Sequence, residues 1–241
     1  MKLFSFSVFA FLFVGVAHSQ TGRNLLPSWE KAVLDSVMNL QYTQPNGYYT
    51  NAGYLDWTQG AYFRAAEILM SEPRFVSDDG NFFAMFPVRQ PIVCNAAESH
   101  SKKKNDCDDV NKEHINLTKK LVLEFYGKEE LDNWKDYALY HSSSEAKSKF
   151  NADTALYLLL PILDEPYFKD YPYCSVLMIQ KNGRGFLPIF CFFNDDGMND
   201  IDTHSAAIER AFRYGNESPV AERIKQEGIV TIIADPKQKK R

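Results

Sequence analysis

Between residues 25 and 40 the apolar side chains recur three and four positions apart. Leu26, Trp29, Val33, Val37 and Leu40 share one face, which predicts a helix started by Pro27 or Ser28. The period then breaks in "TQPNGYYTNAGYLDW", residues 43–57, which reads as a loop rich in Gly, Asn and Tyr. A second helix is predicted from Thr58 through "QGAYFRAAEILM", and "SDDGN" is a turn. "FFAMFPVRQPIVC" looks extended, and Pro87 and Pro91 mark it as an edge or irregular strand. A polar loop follows to Asp108 and Asp109, either of which caps a helix striped by Val110, His114, Leu117, Leu121 and Phe125 and ended by Gly127. A further helix is expected over about 129–140, with Leu131, Trp134 and Ala138 inward.

From there the pattern changes to short apolar runs. "TALYLLLPI" predicts a buried strand, and "YCSVLMIQKNGRGFLPIFCFF", residues 173–193, predicts a hairpin turning at Asn182-Gly183. Asn194 or Asp195 caps a helix to about Tyr214. "SPVAERIKQEG" is a short helix opened by Ser218 and Pro219, "IVTIIA" is a strand, and residues 236–241 form a loose basic tail. The fold class expected from this order is α+β. An antiparallel sheet, with strands near 155–160, 173–181, 186–193 and 229–233, is packed by helices, and the N-terminal half is mostly helical.

The N-terminus changes where such a domain is expected to work. Lys2, the apolar run from Leu3 to Val16, and Ala17 and Ser19 before Gln20 have the grammar of a signal peptide over 1–19. That run is short of the about 20 apolar residues a span needs, and no later run is long enough. Residues 20–241 are thus expected as one exported α+β domain, secreted or periplasmic. The formal net charge of −4 argues against a nucleic-acid partner, which favours a basic face. With 18 Phe and 13 Tyr, most aromatic rings must be core.

Export makes the four cysteines, Cys94, Cys107, Cys174 and Cys191, disulfide candidates. If Asn182-Gly183 is a two-residue turn, Cys174 faces Cys191 at a non-hydrogen-bonded site. Cα atoms there approach to about 4.5 Å, inside the disulfide range of about 4.4–6.8 Å. Pro188 opposes this register, because it would face Leu177 at a hydrogen-bonded site with no N–H to give. A bulge or a longer "NGRG" loop would move Cys191 away from Cys174. Cys94 and Cys107 enclose a polar loop that a bridge would close. "NLT" at Asn116 and "NES" at Asn216 are glycosylation sequons if the source is eukaryotic.

Catalytic signatures are thin. There is no G-x-S-x-G elbow. Cys94, His100, Cys107 and His114 lack a zinc-finger spacing, and the acids of Asn194–Asp202 fail the EF-hand pattern and fit a helix start. No metal or cofactor is expected. The stretch of most interest for binding is "NGYYTNAGYLDW". Tyr48, Tyr49, Tyr54 and Trp57 offer flat rings beside amides and the carboxylate of Asp56, a set suited to a sugar and equally to a packed loop. "LDWTQGAYFRAAEIL" is similar over some fifteen residues to the first helices of glycan-degrading α/α-toroid enzymes, a fold for which this chain is too short and too strand-rich. The expected function is a non-catalytic binding or accessory protein of the cell envelope or extracellular space, with a glycan or protein partner. The alternative is a secreted glycan hydrolase that uses Asp56 in an aromatic groove.

Overall fold

A computed structural model describes residues 31–51, 74–88, 111–162 and 169–216. A helical segment ends in a wide turn over Val33–Met38, closed by Asn39 in the left-handed conformation (φ 52°). It leads into β1 (Leu40–Tyr42). The strands β2 (Tyr48–Asn51), β3 (Arg74–Ser77) and β4 (Phe82–Met85) follow. Helix α1 (Glu113–Tyr126) precedes two short turns of tight helix and β5 (Ala138–Tyr140). Then come α2 (Ser143–Phe150), β6 (Thr154–Leu160), β7 (Tyr173–Lys181) and β8 (Gly185–Phe193). Helices α3 (Asp195–Asn199) and α4 (Ile201–Ala211) lead to β9 (Phe212–Tyr214).

Seven strands form one antiparallel sheet in the order β2-β3-β4-β8-β7-β6-β5, and β1 pairs with β9 in a separate ribbon. The central strands read as near-continuous apolar runs because both of their faces are covered. On one face Phe75, Phe82, Leu177, Ile189 and Phe193 meet Phe150 of α2, Ile208 of α4 and Phe212 of β9. On the other, Met85, Leu158, Val176, Phe190 and Phe192 meet Leu121 and Val122 of α1 and Trp134. Helix α2 starts where it does because of a reciprocal cap. The Ser142 hydroxyl accepts from the Glu145 N–H, and Glu145 Oε2 accepts from the Ser142 N–H at 2.9 Å. Among the described residues no helix is long and apolar enough to cross a membrane.

This architecture overturns the expected one. The described part of the N-terminal half is not mostly helical; it contributes four strands, three of them to the large sheet. The helical face predicted to run to Leu40 stops at Met38, and Leu40 pairs with Tyr214 instead. Tyr48–Asn51, expected as loop, is a strand against β3. The helix expected over 129–140 breaks into short turns, and Ala138–Tyr140 joins β6 as the sheet's far edge. The helix expected to reach Tyr214 is interrupted at Asp200 and gives way to β9. Tertiary pairing decides these short segments, whose local period is ambiguous. The predicted elements at 58–70, 218–228 and 229–233 lie outside the described residues, as do Pro91, Cys94 and Cys107.

The hairpin takes the longer loop, and this settles the fate of its cysteines. Asn182, Gly183 and Arg184 make a three-residue connection, closed by the Arg184 N–H donating to Lys181 O at 3.0 Å. Gly183 (φ 70°) and Gly185 (φ 93°) supply the backbone angles that glycine adopts freely. Asp153 Oδ2 and Asn111 Oδ1 hold the loop, accepting from the N–H groups of Asn182 and Gly183. Cys174 therefore faces Phe192, and Cys191 faces Ser175. A register offset of one residue sends opposed side chains to opposite faces. Cys174 packs with the Phe190–Phe192 side, Cys191 with the Phe193 side, and both thiols are free. Of the two alternatives left open by the sequence, the longer loop holds, and Cys174 and Cys191 are not bridged to each other. Burial pushes the Cys191 thiol up to about 12 and Cys174 well above its usual range. Pro188 lies opposite Met178, and the β4 ladder has already ended at Met85↔Phe190, so a missing N–H on that side costs no bond.

Candidate functional site

Of the aromatic residues singled out for binding, the structure describes Tyr48 and Tyr49; Tyr54, Asp56 and Trp57 lie outside the described residues. Strand alternation separates the two. Tyr48 packs with the Phe75 core, whereas Tyr49 is the register partner of Val76, which packs on the other side of the sheet. Tyr48 stacks on Phe75 with ring centroids 4.7 Å apart and an interplanar angle of 20°. Its hydroxyl lies 2.9 Å from Nδ1 of His204 in α4, and the His204 ring stacks flat on Phe82 at 4.7 Å.

Beside this pair opens a cleft of about 540 Å³ between the β1–β2 connection and α4. Thr43, Pro45 and Asn46 form one wall. Thr203, Ala207 and Arg210, at helical spacing, form the other, and Tyr48 closes the end. The loop wall is fixed by side-chain bonds. Gln44 Nε2 donates to Tyr48 O, and Gln44 Oε1 accepts from Thr50 Oγ1 at 2.8 Å. The Tyr42 hydroxyl reaches the Thr50 hydroxyl at 3.0 Å.

The electrostatics are uneven along the cleft. Burial lowers the His204 pKa, against the raising pull of Asp79 and Asp200, so its imidazole is neutral near pH 7. With Tyr48 as donor to Nδ1, the proton sits on Nε2, which has no partner among the described residues. Burial likewise raises the Tyr48 pKa, helped by Asp79 and Asp200 and opposed by Arg210. Asp79 is held below the usual carboxylate range, first by the Ser77 hydroxyl and then by the Asn81 N–H. The cleft thus presents hydroxyls, amides, one ring and the exposed Arg210 guanidinium, and no carboxylate is among the described residues that line it. Such a set can orient a polar ligand by hydrogen bonds and one positive charge.

Reading the sequence alone missed Thr43, Thr203, Arg210 and the Tyr48–His204 bond. Thr203, Ala207 and Arg210 follow a helical spacing that could have marked a polar stripe; nothing local connects that stripe to Tyr48. The sequons occupy contrasting places. Asn116 lies within α1, where the Thr118 hydroxyl of its sequon is fully buried and donates to His114 O. Asn216 is exposed after β9, and its Oδ1 accepts from Asn151 Nδ2.

No protein-family model matches the chain, and comparisons with curated proteins and with solved structures find no match.

Proposed function

We propose that the chain is an exported, non-catalytic binding protein of the cell envelope or extracellular space. In this reading it holds a polar ligand such as a glycan in the cleft between Tyr48 and Arg210. The observation that carries it is the cleft's chemistry. Thr43, Asn46 and Thr203 supply hydroxyl and amide groups around the Tyr48 ring, while His204 beside them is committed to Tyr48 and to a stack on Phe82. Aromatic rings bounded by such groups suit a sugar, whose apolar face and hydroxyls need both. Export rests on the signal-peptide grammar of residues 1–19.

A glycan array probed with the chain from Gln20 onward tests the ligand class. Binding that falls at least about ten-fold in Asn46→Ala together with Thr203→Ala is the expected result; a blank array, or binding indifferent to both changes, refutes it. Mass spectrometry of the protein recovered from its native host tests export. A mature N-terminus at Gln20 is expected, and an intact Met1–Ser19 segment would overturn that part.

A further inference from the structure

Among the described residues the helical layer on the Phe193 face of the sheet stops short of the β5 edge. Leu139 of β5 and Leu159 of β6 are 74% and 66% exposed, and Tyr173 nearby is partly exposed. Leu139, Leu159 and Tyr173 are three of the five large apolar side chains that stand exposed among the described residues, and they border one feature. Two concavities share Leu159, Ser175 and Ile201 and merge into a groove. Its floor is Tyr157, Leu159 and Ser175. One wall is Ile201, Ser205 and Glu209 of α4, and the other is Asp136 to Leu139. A contiguous exposed apolar surface of this kind marks an interaction site rather than ordinary surface scatter.

We propose that this groove binds an amphipathic helix of a partner protein, laid beside α4 with its apolar stripe on Leu139 and Leu159 and basic residues on its flanks. Two observations choose this occupant. The first is width. The uncovered strip is two strands broad, about 10 Å at about 4.8 Å per strand, which matches the diameter of one helix with its side chains, about 10–12 Å. The bound helix would extend the layer that α4 begins. The second is charge. Among the described residues Asp136 and Glu209 line the groove, and no Lys or Arg does. Asp195 stands at the far end, accepting from the Tyr173 hydroxyl at 3.0 Å. Lys149 neutralises part of this field through its 2.8 Å pair with Glu209, and His141 also faces Glu209 at 3.6 Å. Asp136 is exposed and makes no ion pair within the described residues. An anionic amphiphile such as a fatty acid would meet carboxylates at both ends; a helix would lay its apolar stripe in the groove, and flanking lysines would meet opposite charge.

The test uses the full mature chain and two labelled peptides of about 14 residues, four helical turns. Both carry one leucine stripe; one is flanked by lysines and its twin by glutamates. Fluorescence anisotropy at low salt should show the lysine peptide binding about five- to ten-fold tighter than the twin. It should gain helicity by circular dichroism on binding. Asp136→Asn should erase a large part of the preference, and the pair Leu139→Ser with Leu159→Ser should weaken both peptides at unchanged Tm. Equal binding of the twins, or no binding of either, overturns the proposal. So does protection of the β5 amides from exchange without helix gain, which would signal an added strand. A dimer in sedimentation that Leu139→Ser dissolves would assign the groove to a second copy instead and equally overturn it. None of these outcomes depends on the Tyr48 cleft, so the two readings fail separately.

Discussion

Phe193 and Leu159 stand on the same face of the sheet, on strands separated by β7, and meet opposite fates. Phe193 is 2% exposed and Leu159 is 66% exposed. Both strands obey the same alternation, so the strand pattern does not explain the difference. The cover does. Around Phe193 the face is closed by Phe82, the flat-stacked His204 ring and Met198 of α3. Around Leu159, among the described residues, the helical layer has run out, and Ile201, Ser205 and Glu209 border the strip from one side. Among the described residues one sheet face thus holds a closed core and an open strip, and the boundary is drawn by α4.

Four measurements would break or sharpen this contrast. Phe193→Ala removes a ring from the closed half and should cost about 3–5 kcal/mol in urea unfolding; a loss under about 1 kcal/mol would mean that half is not packed as described. Next comes pH. Burial depresses the pKa of both His204 and His114, so the fold favours their neutral forms. Unfolded imidazoles take up protons below about 6.5, so this contribution is complete above that value and is lost as pH falls toward the lower folded pKa values. The Tm should drop between pH 7 and pH 5, and His204→Gln with His114→Gln should flatten the drop. Asp79, also depressed, acts at lower pH and would not mask it. Third, Tyr48→Phe removes the hydroxyl facing His204 and should cost about 1 kcal/mol. Smallest, Leu159→Thr in the open half should shift stability by no more than about 0.5 kcal/mol. A loss near that of Phe193→Ala would show that the strip is covered in the free protein.

What could be read in advance follows the same boundary between local and distant causes. The runs at 154–160, 173–181 and 185–193 are long, apolar and bounded by turn residues, and strands occupy them. The cap at Asn194, whose Oδ1 accepts from the Gly197 N–H at 2.7 Å, is a local signal too. Leu40–Tyr42, Tyr48–Asn51, Ala138–Tyr140 and Phe212–Tyr214 are three or four residues long and take their conformation from partners far away in sequence. The hairpin register turned on a single residue of loop length, and that choice moved Cys191 from facing Cys174 to facing Ser175. Tyr48 was marked as a candidate from its neighbours in the chain. The groups that define its cleft come from α4, and only folding brings them near.

The β1–β9 ribbon has a consequence for how the molecule can be made. Leu40 pairs with Tyr214, and the Asn39 side chain reaches the Asn216 carbonyl across 177 positions of sequence. Tyr214 in turn donates to the carbonyl of Gly185, tying the ribbon to the central hairpin. The first described strand must therefore wait for nearly the whole described chain to leave the ribosome before it can pair. Contacts of such separation are formed late and slowly. A clasp between strands this distant leaves the central hairpin to assemble first and closes over it only as a last step.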